Sequence, residues 1–284
     1  MATRTQAYTT DDIEYLRHGD RPLMLRLFRP AGEGPFPVVV DLHGGAWCNG
    51  GRAGCDDRDG ALAEAGLAAA SLDFRHAEDG YPSSLIDINY AIRWLKAHAG
   101  DLRLDAARVG LSGQSSGGHL AMLAAMRPRD ARYASIRLGD GDGKIDAGVV
   151  CVGMSWPVMN PLSRYRHALR ARAGANGDWA ADIPDKHDTY WKTEENMSEG
   201  NPMLALERGE TVALPPALWV QGRPDIVHDY RDPDSPVDGN EPERFAHNYR
   251  KAGGEIEIVY VEQAVRATAA SFDPLAAFFR KHLA

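Results

Sequence analysis

The sequence predicts an α/β fold, a mostly parallel central sheet flanked by helices, with a helical cap inserted late in the chain. Three observations carry this. Short β-branched or apolar runs at 38–42, 68–74, 109–112, 145–153 and 217–220 alternate with stretches of helical spacing, the order that gives parallel strands joined by right-handed crossovers. Gly113-Gln114-Ser115-Ser116-Gly117 stands between one such strand and a helix of small residues; a serine on so tight a strand-to-helix turn needs glycine at its flanks, where a Cβ would clash. The alternation fails over 155–211, a segment too long for a simple connection and rich in Trp156, Trp179, Trp191, Tyr165 and Tyr190. The expected division is a core of 1–154 and 212–284 with the cap at 155–211.

Each element has a local cause. Residues 13–29 alternate weakly and end at Pro30, which suits one or two antiparallel edge strands turning near His18-Gly19-Asp20-Arg21-Pro22. Val38-Val39-Val40-Asp41-Leu42 is apolar enough for a strand buried on both faces. His43-Gly44-Gly45-Ala46-Trp47 follows directly, and a glycine-rich loop at the carboxyl end of a buried strand is where an open α/β sheet takes its ligand. Residues 59–66 read as a helix, and 84–98 as another because Leu85, Ile88, Ala91, Ile92 and Leu95 share one helical face. Residues 242–252 make a helix closed by Gly253-Gly254, and 255–262 a last alternating strand. Residues 274–283 form a C-terminal helix opened by Asp273 as N-cap, with Pro274 in its first position.

A chain of 284 residues, 44% hydrophobic and 25% charged, has ample material for one large core. Its net charge of -8 argues against nucleic acid or an anionic membrane as a partner. The sequence has no apolar run of membrane-spanning length, and residues 1–12 lack the apolar core of a secretory signal. Cys48, Cys55 and Cys151, an odd number without framework spacing, read as free thiols in a reducing, cytoplasmic setting. No metal or cofactor is expected: H-E-x-x-H is absent, and Asp140-Gly141-Asp142-Gly143 lacks the rest of a calcium loop and reads as a turn. The C-terminal helix and edge strands leave room for a homodimer.

Glycine loop, Ser115 and Asp225 fall, in that order, at the carboxyl ends of three of these strands. On His43-Gly44-Gly45-Ala46-Trp47, Asp73-Phe74-Arg75, Tyr81-Pro82, Gly113-Gln114-Ser115-Ser116-Gly117-Gly118-His119-Leu120 and Gly222-Arg223-Pro224-Asp225, the chain resembles the α/β-hydrolase fold. Within it, the resemblance is to the esterase/lipase branch similar to hormone-sensitive lipase and to bacterial carboxylesterases. It implies hydrolysis of a small to medium or aromatic carboxylic ester, with Ser115 as nucleophile and Asp225 as the acid of a triad. The backbone N–H groups of Ser116, Gly44, Gly45 and Ala46 would face the developing oxyanion. Trp47, Trp156 and Trp191 would line the substrate pocket, while His43 and His119 read as structural.

The family's histidine follows the last strand. Here that stretch, Glu262-Gln263-Ala264-Val265-Arg266-Ala267-Thr268-Ala269-Ala270-Ser271-Phe272, contains none, and Val265, Arg266 or Phe272 stands in its place. Only His228, His247 and His282 come after Asp225. His228, three residues beyond the acid, is the one placed to reach Ser115 as a displaced base. The alternatives are a scaffold that runs another reaction without the ordinary triad, and a binding protein that has lost catalysis, as in the plant gibberellin receptor, which resembles the same branch. Losing the base of an intact triad costs about 10⁶ in rate, and fold alone does not decide between these readings. The retained elbow, glycine loop and Asp225 favour a hydrolase.

Overall fold

The computed structural model describes residues 7–139, 143–174 and 177–284, so the turn expected at Asp140-Gly141-Asp142-Gly143 lies, except for Gly143, outside the described residues. The strands are β1 (Tyr8–His18), β2 (Arg21–Pro30), β3 (Phe36–Leu42), β4 (Ala68–Leu72), β5 (Leu104–Gln114), β6 (Cys151–Ser155), β7 (Ala217–Arg223) and β8 (Ile256–Glu262). They form one sheet in the order β1-β2-β4-β3-β5-β6-β7-β8. The β1–β2 and β2–β4 pairs are antiparallel, and the rest of the sheet is parallel. All strands from β3 onward therefore deliver their carboxyl ends to one edge.

The helices are α1 (Asp56–Glu64), α2 (Ser83–Ala97), α3 (Ala99–Leu102), α4 (Ser116–Met126), α5 (Pro161–Arg172), α6 (Ile183–Trp191), α7 (Glu194–Glu199), α8 (Pro202–Glu207), α9 (Glu241–Lys251) and α10 (Ala269–His282). Strand alternation sorts them into layers. Val38, Val40 and Leu42 join Leu85 and Ile88 of α2, Leu120 and Leu123 of α4 and Phe245 of α9 in one core. Val39 points the other way, to Leu62 of α1 and Leu275 and Phe279 of α10. Every residue of α4 is buried, which is why its sequence is apolar all round rather than striped. None of the helices among the described residues is long and apolar enough to cross a membrane.

Two expectations need correction. Of the strand expected at 145–153, only the part from Cys151 is in the sheet. The C-terminal helix starts five residues early, at Ala269, capped by Thr268 in a reciprocal box with Ser271, and Pro274 lies inside it. Pro274, the sixth residue of the helix, forgoes one backbone bond there. All three cysteines are free.

Candidate active site

The register of the sheet brings three loops together. Leu42 pairs with Gly113, Gln114 with Ser155, and Ser155 with Val220, so the chain leaves β3, β5 and β6 at nearly one level, while β7 runs on to Arg223. At the end of β5, Ser115 has φ 53° and ψ -118°, a strained conformation that persists only when its surroundings hold it. The Ser115 N–H donates to Ser155 O at 3.0 Å, and its carbonyl accepts from His119 N at 3.1 Å and Val158 N at 3.2 Å. Close approach explains the flanking glycines: a Cβ on Gly113 would lie 2.3 Å from Gly117 O, and one on Gly117 would lie 2.2 Å from Leu42 O. Beneath the turn, Arg58 forms a buried two-pronged ion pair with Asp41, at 2.7 and 2.9 Å, and donates to Gln114 Oε1 at 3.1 Å.

The loop after β3 lies beside this turn. A Cβ on Gly44 would come 3.4 Å from Ser115 Cβ and 3.0 Å from Gln114 O. Gly45, Ala46 and Trp47 have φ of 121°, 52° and 60°, so Ala46 occupies a left-handed position that glycine takes without strain. Gly44, Gly45 and Ala46 are partly exposed, as is Ser115, while Ser116 is buried. Ser116 is the first residue of α4, where the backbone N–H has no partner within the helix.

After β7 the chain makes one helical turn, closed by Asp229 N–H donating to Asp225 O at 2.8 Å. Residues three apart on such a turn share a side, and this sets His228 beside Asp225. Asp225 Oδ1 accepts from the N–H groups of Val227 at 3.0 Å and His228 at 3.2 Å, capping its own turn. Asp225 Oδ2 accepts from His228 Nδ1 at 2.9 Å and Gln221 Nε2 at 3.3 Å. His228 Nε2 lies 3.0 Å from Ser115 Oγ. A carboxylate on Nδ1 fixes the proton there and leaves the Nε2 lone pair for the hydroxyl. Burial pushes His228 down to about 4, the Asp225 carboxylate opposing this and the Arg164 and Arg266 charges adding to it. Burial would raise Asp225, yet the His228 hydrogen bond and charge, with Arg266 and the Val227 N–H, hold it at about 2. A hydroxyl, a neutral imidazole and an ionised carboxylate in this line can pass a proton from oxygen to nitrogen.

The other candidate residues are accounted for. His247 is exposed. His43 stacks on Phe74 at 4.3 Å, and its Nδ1 is 2.7 Å from Gly44 O. His119 is fully buried, accepting from Trp47 Nε1 at 3.1 Å and donating to Gly200 O at 2.7 Å. Trp47, Trp156 and Trp191, expected on a substrate wall, are instead 2%, 0% and 0% exposed. Trp47 meets His119, His187 and Trp191 edge to face, a geometry that favours ring packing over an open wall. These rings seat α6 on the glycine loop and on α4.

Sequence reasoning named His228 but missed what holds it. Arg164 Nη1 donates to Val227 O and His167 Nε2 to Ile226 O, both at 2.9 Å. His167 also stacks on Tyr230 at 3.9 Å, whose hydroxyl bonds Ser163 Oγ at 3.0 Å. Three residues of α5 thus grip the turn that carries the acid and the imidazole. The available signal was the Asp-x-x-His spacing; nothing in the sequence tied α5 to it.

The BD-FAE family model matches residues 25–148. The chain is 32% identical over 123 residues to the probable carboxylic ester hydrolase LipM of Mycobacterium tuberculosis, 43% of this chain and 28% of that protein. To carboxylic ester hydrolase LipN of the same organism it is 34% identical over 255 residues, 83% of this chain and 58% of that protein. The chain thus spans less than two thirds of the length of either relative. A hyperthermophilic esterase from the archaeon Pyrobaculum calidifontis shares the fold with a TM-score of 0.71 at 22% identity, over 96% of this chain and 85% of that one. With the glycine loop and the serine turn inside the matched segment and the sheet in this order, the chain has the α/β-hydrolase fold and is similar in sequence to carboxylic ester hydrolases.

Proposed function

We propose that the chain hydrolyses carboxylic esters of small to medium or aromatic size, with Ser115 as nucleophile, His228 as general base and Asp225 as the acid that orients it. The observation that carries the reading is the line from Ser115 Oγ to His228 Nε2 at 3.0 Å and from His228 Nδ1 to Asp225 Oδ2 at 2.9 Å. His228 Nε2 takes the Ser115 proton as Oγ bonds to the ester carbonyl carbon, and the carbonyl π electrons move onto oxygen. The N–H groups of Ser116 and of the Gly44, Gly45 and Ala46 loop stabilise that oxyanion. When the intermediate collapses, the C–O bond to the alcohol breaks and the alcohol leaves with the proton from Nε2, so Ser115 is acylated. Water then attacks in the same way, its proton passing through Nε2 back to Ser115 as the acid departs. Asp225 stays ionised throughout and steadies the imidazolium. The α5–α8 segment serves as the cap.

The test is hydrolysis of p-nitrophenyl acetate and butyrate by the intact chain, Ser115→Ala and His228→Ala. Each variant should lose about 10⁴ to 10⁶ in kcat, and a fluorophosphonate probe should label wild type at Ser115. Equal rates in wild type and Ser115→Ala would end the hydrolase reading; full activity in His228→Ala would remove the displaced base.

A further inference from the structure

Arg266 stands on the segment after β8, where the resemblance places a histidine, and its guanidinium has unspent hydrogen-bonding capacity. It is 3.8 Å from Asp225 Oδ2 and 27% exposed. Its carbon lies 4.3 Å from the centroid of Trp156, the residue after Ser155, whose carbonyl takes the Ser115 N–H. Both Asp225 oxygens are already engaged by Val227, His228 and Gln221. Among the described residues, the Arg266 side chain has no acceptor within hydrogen-bond distance. Stacking on an indole uses one face of a guanidinium and leaves its edge, the part that forks onto a carboxylate, free.

A second cation lies behind it. Arg164 is 4% exposed, spends Nη1 on Val227 O and leaves Nε buried without a partner. No ion pair to Arg164 is found among the described residues. Around the neutral imidazole of His228 there are thus two guanidinium groups and one carboxylate. A partly buried net positive charge is costly unless an anion completes it.

We propose that Arg266 is a specificity-determining residue that binds a carboxylate carried by the ester substrate, so that the preferred substrates are monoesters bearing a second, anionic end. This rests on the ester-hydrolase reading of Ser115. The substrate carboxylate takes the free edge of Arg266, and its charge offsets the excess cation beside His228. The scissile carbonyl then sits at Ser115, with the anionic end at Arg266.

The test compares kcat/KM for two matched pairs. Mono-p-nitrophenyl glutarate against p-nitrophenyl valerate places the charge on the acyl side. 4-Acetoxybenzoate against phenyl acetate places it on the alcohol side. In at least one pair the ratio of anionic to neutral ester should fall tenfold or more in Arg266→Gln and recover in part in Arg266→Lys. Ratios unchanged by Arg266→Gln in both pairs would overturn the proposal, because a merely structural role lowers both members alike. Glutarate binding by calorimetry to Ser115→Ala, with and without Arg266→Gln, reads the anion site without turnover. Tenfold weaker binding supports it and equal binding overturns it. Failure of wild type to turn over any of the esters, with Ser115 unlabelled by fluorophosphonate, would instead strike the hydrolase reading and leave the calorimetry to judge Arg266.

Discussion

His228 enters the proposed reaction as a neutral imidazole, and burial decides how much of it is neutral. An ordinary histidine near 6.5 would be half protonated in mildly acidic solution. Burial, aided by the Arg164 and Arg266 charges and opposed by Asp225, pushes this one down to about 4. The charged form is the inactive one, so activity is lost as pH falls through the value of the free enzyme. The acid limb of kcat/KM for a short-chain p-nitrophenyl ester should therefore lie near pH 4, with a plateau through neutrality. A limb near 6.5 would mean that water reaches the imidazole and that the burial seen here is not the working state. Asp225, at about 2, remains ionised across the whole range and adds no second limb.

At the scale of elements, α5 and the turn after β7 form one mechanical unit. Arg164 and His167 donate to the carbonyls of Val227 and Ile226, the two residues between acid and base. In the proposed reaction Arg164 acts through His228, as a positioning residue. Arg164→Met should lower kcat about tenfold with KM little changed, since misplacing a base by a fraction of an ångström costs rate more than binding. The variant also removes a cation that depresses His228, so the acid limb should move up in pH. Steady-state kinetics across pH 4–8 checks both, and an unmoved limb would reduce Arg164 to ordinary packing. Little of this was legible in the sequence. Strands such as Val38-Val39-Val40-Asp41-Leu42 announce themselves because burial on both faces leaves an unbroken apolar run. The serine turn does so because Gly113 and Gly117 meet backbone. A donor on α5 reaching a carbonyl 63 residues later leaves no periodic trace, because it depends on the long-range fold and on an acceptor every residue owns. The tryptophans show the reverse error: aromatics in a long segment suggest a pocket, yet Trp156 and Trp191 are consumed in packing.

For the whole molecule, buried imidazoles make acid a destabiliser. Burial pushes His119 and His187 down to about 3 and His228 to about 4. The unfolded chain takes up these protons from about pH 6.5 downward while the folded chain refuses them, so each contributes stability that is lost as pH falls towards its folded value. His187 is separable from the proposed chemistry: its Nδ1 donates to Ile183 O at 2.8 Å and its Nε2 is unpartnered. In His187→Gln, the stability lost between pH 7 and pH 5 should be smaller by about 2 kcal/mol, read from urea midpoints at the two values; an equal loss would show that this imidazole titrates alike folded and unfolded. The parallel run of the sheet was readable from the alternation of apolar and helical stretches, whereas the imidazole could be placed only by its nearness to Asp225 in sequence, because the stretch after β8 where the resemblance expects it holds no histidine. That displacement has a further consequence. The acid and the base ride on one turn whose shape is set by the Asp229-to-Asp225 backbone bond, so their mutual distance is local and only the joint to Ser115 spans the fold. A slackened fold would part that joint and leave the pair itself whole, as a clutch disengages without harm to the gear. The pair is also portable: a short run of chain after the seventh strand carries both partners.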